Sequence, residues 1–273
     1  VKKLIREKKI KSGKLLEIEF FPVYNNGARI PTRSQKEKIS KEKQKKLNKK
    51  NAEKKLIRKV NANFDEGDLF CHLTYKADNI PQSETQLKKD IKNYIRRLKN
   101  YRQKNNMPEI KYLYVIEKSE YQTGKNKSKA NWHVHMFMSS MDRTVAENLW
   151  LSGTANCDRY QPRSFGPKAA AKYIAKSPEG KKRFSGSRNL KKPVELKPQD
   201  GKTSRAVVER MATVRVDDSG YWERRYRGYD FLECTPVFNE YNLHWYVSVT
   251  MYKKGNEKNA KKATRGKRTN QIV

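Results

Sequence analysis

The chain has 273 residues, and its 63 Lys+Arg against 29 Asp+Glu give a formal net charge of +34. A chain of this size can bury a core for one moderate domain with extensions or for two small ones. A pI near 10.0 calls for a polyanionic partner, and nucleic acid leads over an anionic membrane surface.

No apolar run approaches the roughly 18 residues that a bilayer span requires, and no secretory segment opens the sequence. Cys71, Cys157 and Cys234 are odd in number and far apart. They suggest neither a disulfide framework nor a zinc site, so a reducing cytoplasm is the expected location.

Residues 1–33 mix basic and apolar stretches and reveal no role. Residues 36–59 hold 12 Lys/Arg and 3 Asp/Glu, with Leu47, Leu56, Ile57 and Val60 as a thin apolar stripe. That spacing predicts a long basic helix. LFCHLTYK (69–76) reads as a buried strand. Ser83 and Gln86 form a capping-box start. Leu87, Ile91, Tyr94, Ile95, Leu98 and Tyr101 then follow helical spacing, and the helix ends before Pro108.

IKYLYVIE (110–117) and WHVHMFM (132–138) read as strands around a polar loop. A short helix over 143–150 and a strand near 154–160 come next. Gly166-Pro167 opens a helix over AAAKYIAK (169–176), since proline suits a first helical turn. Residues 178–205 are basic and turn-rich. Late strands are expected near 207–216, 221–232 and 243–252. The basic tail, 253–273, is expected to be disordered.

The fold class is therefore α+β: a ferredoxin- or RRM-like central antiparallel sheet with helices on one face, plus the basic N-terminal helix. The domain reading is an extension over 1–62, a main domain over 63–252 and the tail. The main domain has its core at about 65–190 and accessory strands at about 205–252.

The sharpest chemical signal is His133-Val134-His135. On a strand, residues i and i+2 share a face, so both imidazoles project together. Glu117 ends the preceding strand, and a hairpin would set it beside the pair. Glu120 is the competing carboxylate, on the opposite side of the alternation. One carboxylate with two imidazoles suits a divalent ion with open positions better than structural zinc. Tyr173 and Lys176 are i and i+3 on a helix and share a face. A neighbouring ammonium favours the phenolate form of a tyrosine. Gly201-Lys202-Thr203 lacks the earlier glycine of a phosphate-binding loop, because Leu196 stands in its place.

Three motifs in order resemble the HUH endonuclease superfamily, and most closely the rolling-circle replication initiators of phages and mobile elements. They are LFCHLTY, then WHVHMFM after YLYVIE, then AAAKYIAK. FSGSRNLKKP (184–193) is similar to the stretch that follows the tyrosine motif, and NAEKKLIRKVNANFDEGDLFCHLTY to the lead-in.

The resemblance implies that Glu117, His133 and His135 bind a divalent metal, Mg²⁺ or Mn²⁺. It implies that Tyr173 is the nucleophile with Lys176 beside it, forming a 5′-phosphotyrosine on single-stranded DNA at a replication origin. Ser177 stands where some phage initiators carry a second tyrosine, which favours single-tyrosine chemistry. Lys168, Lys172 and Arg188 are expected to hold phosphates, and Trp132, with Tyr75 and Tyr160, to offer stacking surfaces. Host helicase and polymerase would be partners inside a bacterial cell, with a second protomer one route to closing the circle.

Alternatives within the same chemistry are a relaxase or a single-strand transposase. Outside it stand a non-catalytic nucleic-acid-binding module and a metal-dependent hydrolase without a covalent step.

Overall fold

The computed structural model describes residues 2–25, 41–122, 128–162, 168, 184–240 and 242–255. They are arranged as two compact units, one of residues 1–30 with 194–273 and one of residues 31–193. The sequence reading set residues 1–62 apart as an extension. The structure instead groups the first residues with the last, because both lie in one sheet. The α+β class holds, but with two antiparallel sheets rather than one. No described helix is long and apolar enough to cross a membrane.

The central unit begins with helix α1 (Lys41–Asn63), whose Leu56, Ile57 and Val60 are buried. There follow β3 (Leu69–Tyr75), α2 (Glu84–Lys104), β4 (Tyr112–Gln122), β5 (Ser128–Met138), α3 (Arg143–Asn148), β6 (Gly153–Arg159) and a two-residue β7 (Ser185–Gly186). The strands lie in the order β6-β3-β5-β4-β7, with every pair antiparallel. The βαββαβ run from β3 to β6 thus gives the ferredoxin-like arrangement expected.

The Ser83 hydroxyl accepts from the Gln86 N–H at 3.2 Å, and the Asp142 carboxylate from the Val145 N–H at 2.9 Å. These caps start α2 and α3 by satisfying exposed amides. Leu87, Ile91, Tyr94, Ile95 and Leu98 of α2 bury against Leu69, Cys71, Leu73, Val134, Met136 and Met138 on one sheet face. The Tyr94 hydroxyl donates to the Ala146 carbonyl at 2.9 Å and ties α2 to α3.

β4 and β5 each run eleven residues, well past the expected 110–117 and 132–138. Tyr121 and Gln122 pair with Lys129 and Ser128, so most of the expected loop is ladder. Cys71 and Cys157 oppose each other in the β3–β6 register, with Cα atoms 4.0 Å apart, and are joined by a disulfide. The expectation that the cysteines stay unpaired fails because a fold, not sequence distance, sets which residues meet.

The terminal unit contains β1 (Lys2–Ser12), β2 (Leu15–Asn25), β8 (Val194–Glu195), β9 (Gln199–Asp200), α4 (Arg205–Thr213), α5 (Ser219–Arg225), β10 (Tyr229–Asn239) and β11 (His244–Lys253). Its sheet runs β10-β11-β2-β1-β8, with β9 also on β1. The strand expected near 207–216 is helix α4. Val208, Met211 and Ala212 recur at helical spacing on its buried face, and the Ser204 hydroxyl caps it. The strand expected over 221–232 is α5 followed by the start of β10. Asp218 caps α5 by accepting from the Tyr221 N–H at 2.8 Å.

Glu7 of β1 is buried against these helices. It accepts from the Tyr226 hydroxyl at 2.8 Å, lies 2.9 Å from the Lys9 ammonium, and faces Arg225 at 3.4 Å. Burial opposes its charge, but these partners prevail and hold its carboxyl below the ordinary 4.5.

Two outcomes follow. Gly153 has no room for a Cβ, which would strike the Thr74 carbonyl oxygen and come within 2.7 Å of the Tyr75 Cα. Gly153→Ala should cost about 1–3 kcal/mol, read from the denaturant midpoint of the central unit. A carboxyl with a lowered folded pKa stabilises above its unfolded value and loses that effect as pH falls through the folded one. Glu7→Gln should therefore destabilise the terminal unit by about 1–3 kcal/mol at pH 7. The gap to the parent should close as pH drops below about 4.5, the group's ordinary value.

Candidate active site

Strand alternation sends one set of side chains of the central sheet to the α2 face and the other set away from it. The second set comprises Phe70, His72 and Thr74 of β3, His133, His135 and Phe137 of β5, and Leu113, Val115 and Glu117 of β4. Register places Glu117 opposite His133, Val115 opposite His135, and His72 opposite His135 on the other side. Phe64, just beyond α1, stacks on Phe137 at 5.7 Å between centroids, and Phe137 lies 4.6 Å from Phe70. This face therefore has an aromatic end and a polar end, and the histidines stand where the two meet.

At that junction Glu117 Oε2 lies 2.9 Å from His135 Nε2. The His135 side chain is 5% exposed and that of Glu117 is 32% exposed. Burial holds the His135 pKa below the ordinary 6.5, although the Glu117 carboxylate pulls the other way. Burial, together with the charge of His135, likewise lowers His72. Both rings are thus neutral near pH 7, the form in which an imidazole ligates.

The donor spacing suits a divalent ion. Two ligands at right angles around an ion, each at about 2.1 Å, stand about 3.0 Å apart. The Glu117–His135 separation matches that edge. Among the described residues no three such groups are already closed around one point, so the pair is held by its own hydrogen bond.

The other expected site residues fall as follows. Tyr173, Lys176 and Lys172 lie outside the described residues. Lys168 is half-buried. Arg188 is exposed, just past β7 on the β4 edge of the sheet, within electrostatic reach of Tyr112. The end of its segment is tied to α1, because the Asn63 side chain accepts from the Lys191 N–H at 2.7 Å and donates to its carbonyl at 3.0 Å. Trp132 sits on the α2 face, packed against the core, with the Lys118 ammonium 5.8 Å from its ring centre.

Tyr75 and Tyr160 are buried. Tyr75 packs edge-on to Trp150, and burial beside Asp90 pushes its phenol far up, so it stays neutral. The sequence reading passed over His72. The alternation within LFCHLTY, buried at every second residue, is the signal that sets His72 on the outward face.

Residues 68–178 match the replication-associated protein family named for ORF2 and the gene-2 protein. The matched segment holds β3 to β6, and with them His72, Glu117, His133 and His135; it also spans Tyr173 and Lys176. The match supports a role in DNA replication and a DNA partner. No curated protein and no solved structure matches the chain.

A histidine whose folded pKa is lowered resists a proton that the unfolded chain accepts, so stability is lost as pH falls below about 6.5. His72 and His135 act in the same direction. The denaturant midpoint of the parent should fall between pH 7 and pH 5, and His135→Gln should show a shallower fall. Equal slopes would mean that the buried ring does not titrate in this way.

Proposed function

We propose that the chain initiates rolling-circle replication by nicking and joining single-stranded DNA through a 5′-phosphotyrosine on Tyr173. One observation supports this above the others: a carboxylate and a buried neutral imidazole meet at 2.9 Å on the outward face, next to a second imidazole, within the matched segment. Glu117, His133 and His135 would hold a divalent ion, Mg²⁺ or Mn²⁺. When bound, the ion supplies positive charge against a non-bridging oxygen of the scissile phosphodiester.

The chain's own residues do the rest. Tyr173 gives up its phenolic proton, and Lys176 stabilises the phenolate. The phenolate oxygen attacks phosphorus, the P–O3′ bond breaks, and the 3′ oxygen leaves to take a proton. That hydroxyl primes a polymerase, while the phosphotyrosine keeps the bond energy for later joining without ATP.

His135 is buried and fixed by Glu117, which pre-organises the donor pair and limits reorganisation during the reaction. Lys168, Lys172 and Arg188 would hold flanking phosphates. Trp132 packs inward, so any stacking role falls to the edge of its ring that is left exposed. With Ser177 in the second tyrosine position, closure of the circle would fall to a second protomer, to water or to reuse of Tyr173. Unwinding and synthesis would come from host helicase and polymerase inside a bacterial cell.

The test is a denaturing gel after incubation of the protein with Mn²⁺ and single-stranded DNA of its own replicon. A covalent adduct should form in the parent and be absent in Tyr173→Phe or with chelator. His133→Ala should lose on the order of 100-fold or more in cleavage rate. It should keep most of its DNA affinity, which comes from many cation–phosphate contacts. Cleavage without adduct would favour a hydrolase. Binding without cleavage under every divalent ion would favour a non-catalytic module.

A further inference from the structure

His72 is a chemistry-bearing side chain beside the site to which the three-motif reading gives no role. It lies on β3, 63 positions before its cross-strand neighbour His135, and only the β3–β5 register brings the two together. Their ring centroids are 4.7 Å apart, with planes at 87°. Phe70 packs edge-on against His72 from the other side at 4.7 Å. His72 is half-buried and lies within electrostatic reach of His133, Glu117 and Asp158.

The spacing of the two rings has a simple reading. An imidazole bound through nitrogen at about 2.1 Å puts its centroid about 3.2 Å from the ion. Two such rings, at roughly 90–110° around one ion, have centroids about 4.5–5.2 Å apart. The observed separation falls inside that range, and the Glu117–His135 contact matches the corresponding edge on the other side of the same ring. His135 is therefore flanked on both sides by donors at ligand-to-ligand spacing.

We propose that His72 is a further donor to the divalent ion held by Glu117, His133 and His135, and that it biases the site toward Mn²⁺ over Mg²⁺. The proposal rests on the metal reading given under Proposed function. Its chemical basis is that Mg²⁺ favours oxygen ligands and retained water, whereas imidazole suits later divalent ions better. Each added imidazole widens that difference. The single carboxylate remains the one anionic donor.

The experiment is calorimetric titration of the full chain with MnCl₂ and with MgCl₂, without DNA. The parent, Glu117→Gln, His72→Phe and His72→Asp are compared, and folding is checked by circular dichroism. His72→Phe keeps a ring for Phe70 and His135 to pack on but removes the donor. It should weaken Mn²⁺ binding by about 10-fold or more, the scale seen when even a supporting group of a metal site is lost. Mg²⁺ binding should change less.

His72→Asp replaces the nitrogen donor with oxygen. It should move the Mn²⁺-to-Mg²⁺ affinity ratio toward Mg²⁺, a shift that simple loss of packing does not produce. If Glu117→Gln loses Mn²⁺ while both His72 variants bind both ions as the parent does, His72 is a packing residue and this inference fails alone. If the parent binds neither ion, the metal reading fails and takes the inference with it.

Discussion

The register between β4 and β5 is the constraint on which the candidate site depends. Glu117 faces His133 because Leu113 faces Phe137, Tyr114 faces Met136 and Ile116 faces Val134. A slip of one residue would turn every side chain of one strand to the other face. What forbids the slip lies on the side away from the site. Val134, Met136 and Met138 are completely buried beneath α2. Burying side chains of this size is worth about 1.5–3 kcal/mol each. The histidine pair is thus aimed by the packing of its alternate neighbours. Trp132 belongs to that inward set, which is why it packs against the core while His133 faces outward.

The electrostatics of the site run against those of the chain. A formal charge of +34 supplies cations for a phosphate backbone without further device. A centre that must bring a divalent ion to a phosphodiester has a different need. Three carboxylates around such an ion would leave a net negative charge and repel the substrate. Neutral imidazoles with one carboxylate leave a net positive charge. Burial of His135 serves this arrangement, since it keeps the ring neutral, and Glu117 supplies the single anion.

Features set by neighbours in sequence were legible, and features set by distant pairing were not. The His133/His135 pairing needs only the period of a strand. Glu117 needs only the hairpin that follows it. The Ser83 cap and the apolar spacing of α2 are likewise local. His72 could be placed on an outward face, but nothing local says that β3 lies beside β5. The Cys71–Cys157 pairing escaped for the same reason, since it depends on β6 returning to the other edge of β3. The stretch 207–216 misled through its valines. Those residues favour strands in general, yet here Val208 shares a helical face with Met211 and Ala212. Composition decided little at that point, because a short apolar run serves either structure and tertiary packing makes the choice.

The terminal hairpin was the least readable element, and its placement explains the chain's organisation. β2 pairs with β11, and β1 with β8 and β9, so residues 2–25 complete a sheet made mostly after residue 193. The central unit is in effect inserted between two parts of the terminal one. Such an insertion is tolerated when the ends of the inserted unit lie close together. The reciprocal hydrogen bonds between Asn63 and Lys191 bring two segments 128 residues apart into direct contact, near the exit from the central unit. The buried Glu7 cluster plays the matching part in the terminal unit, where a carboxylate from the first strand is held by Tyr226 and Arg225. Contacts of such long sequence separation are slow to form and entropically costly to close. Strong, specific polar ties at these points therefore fit the topology: they link segments that chain proximity alone would not hold.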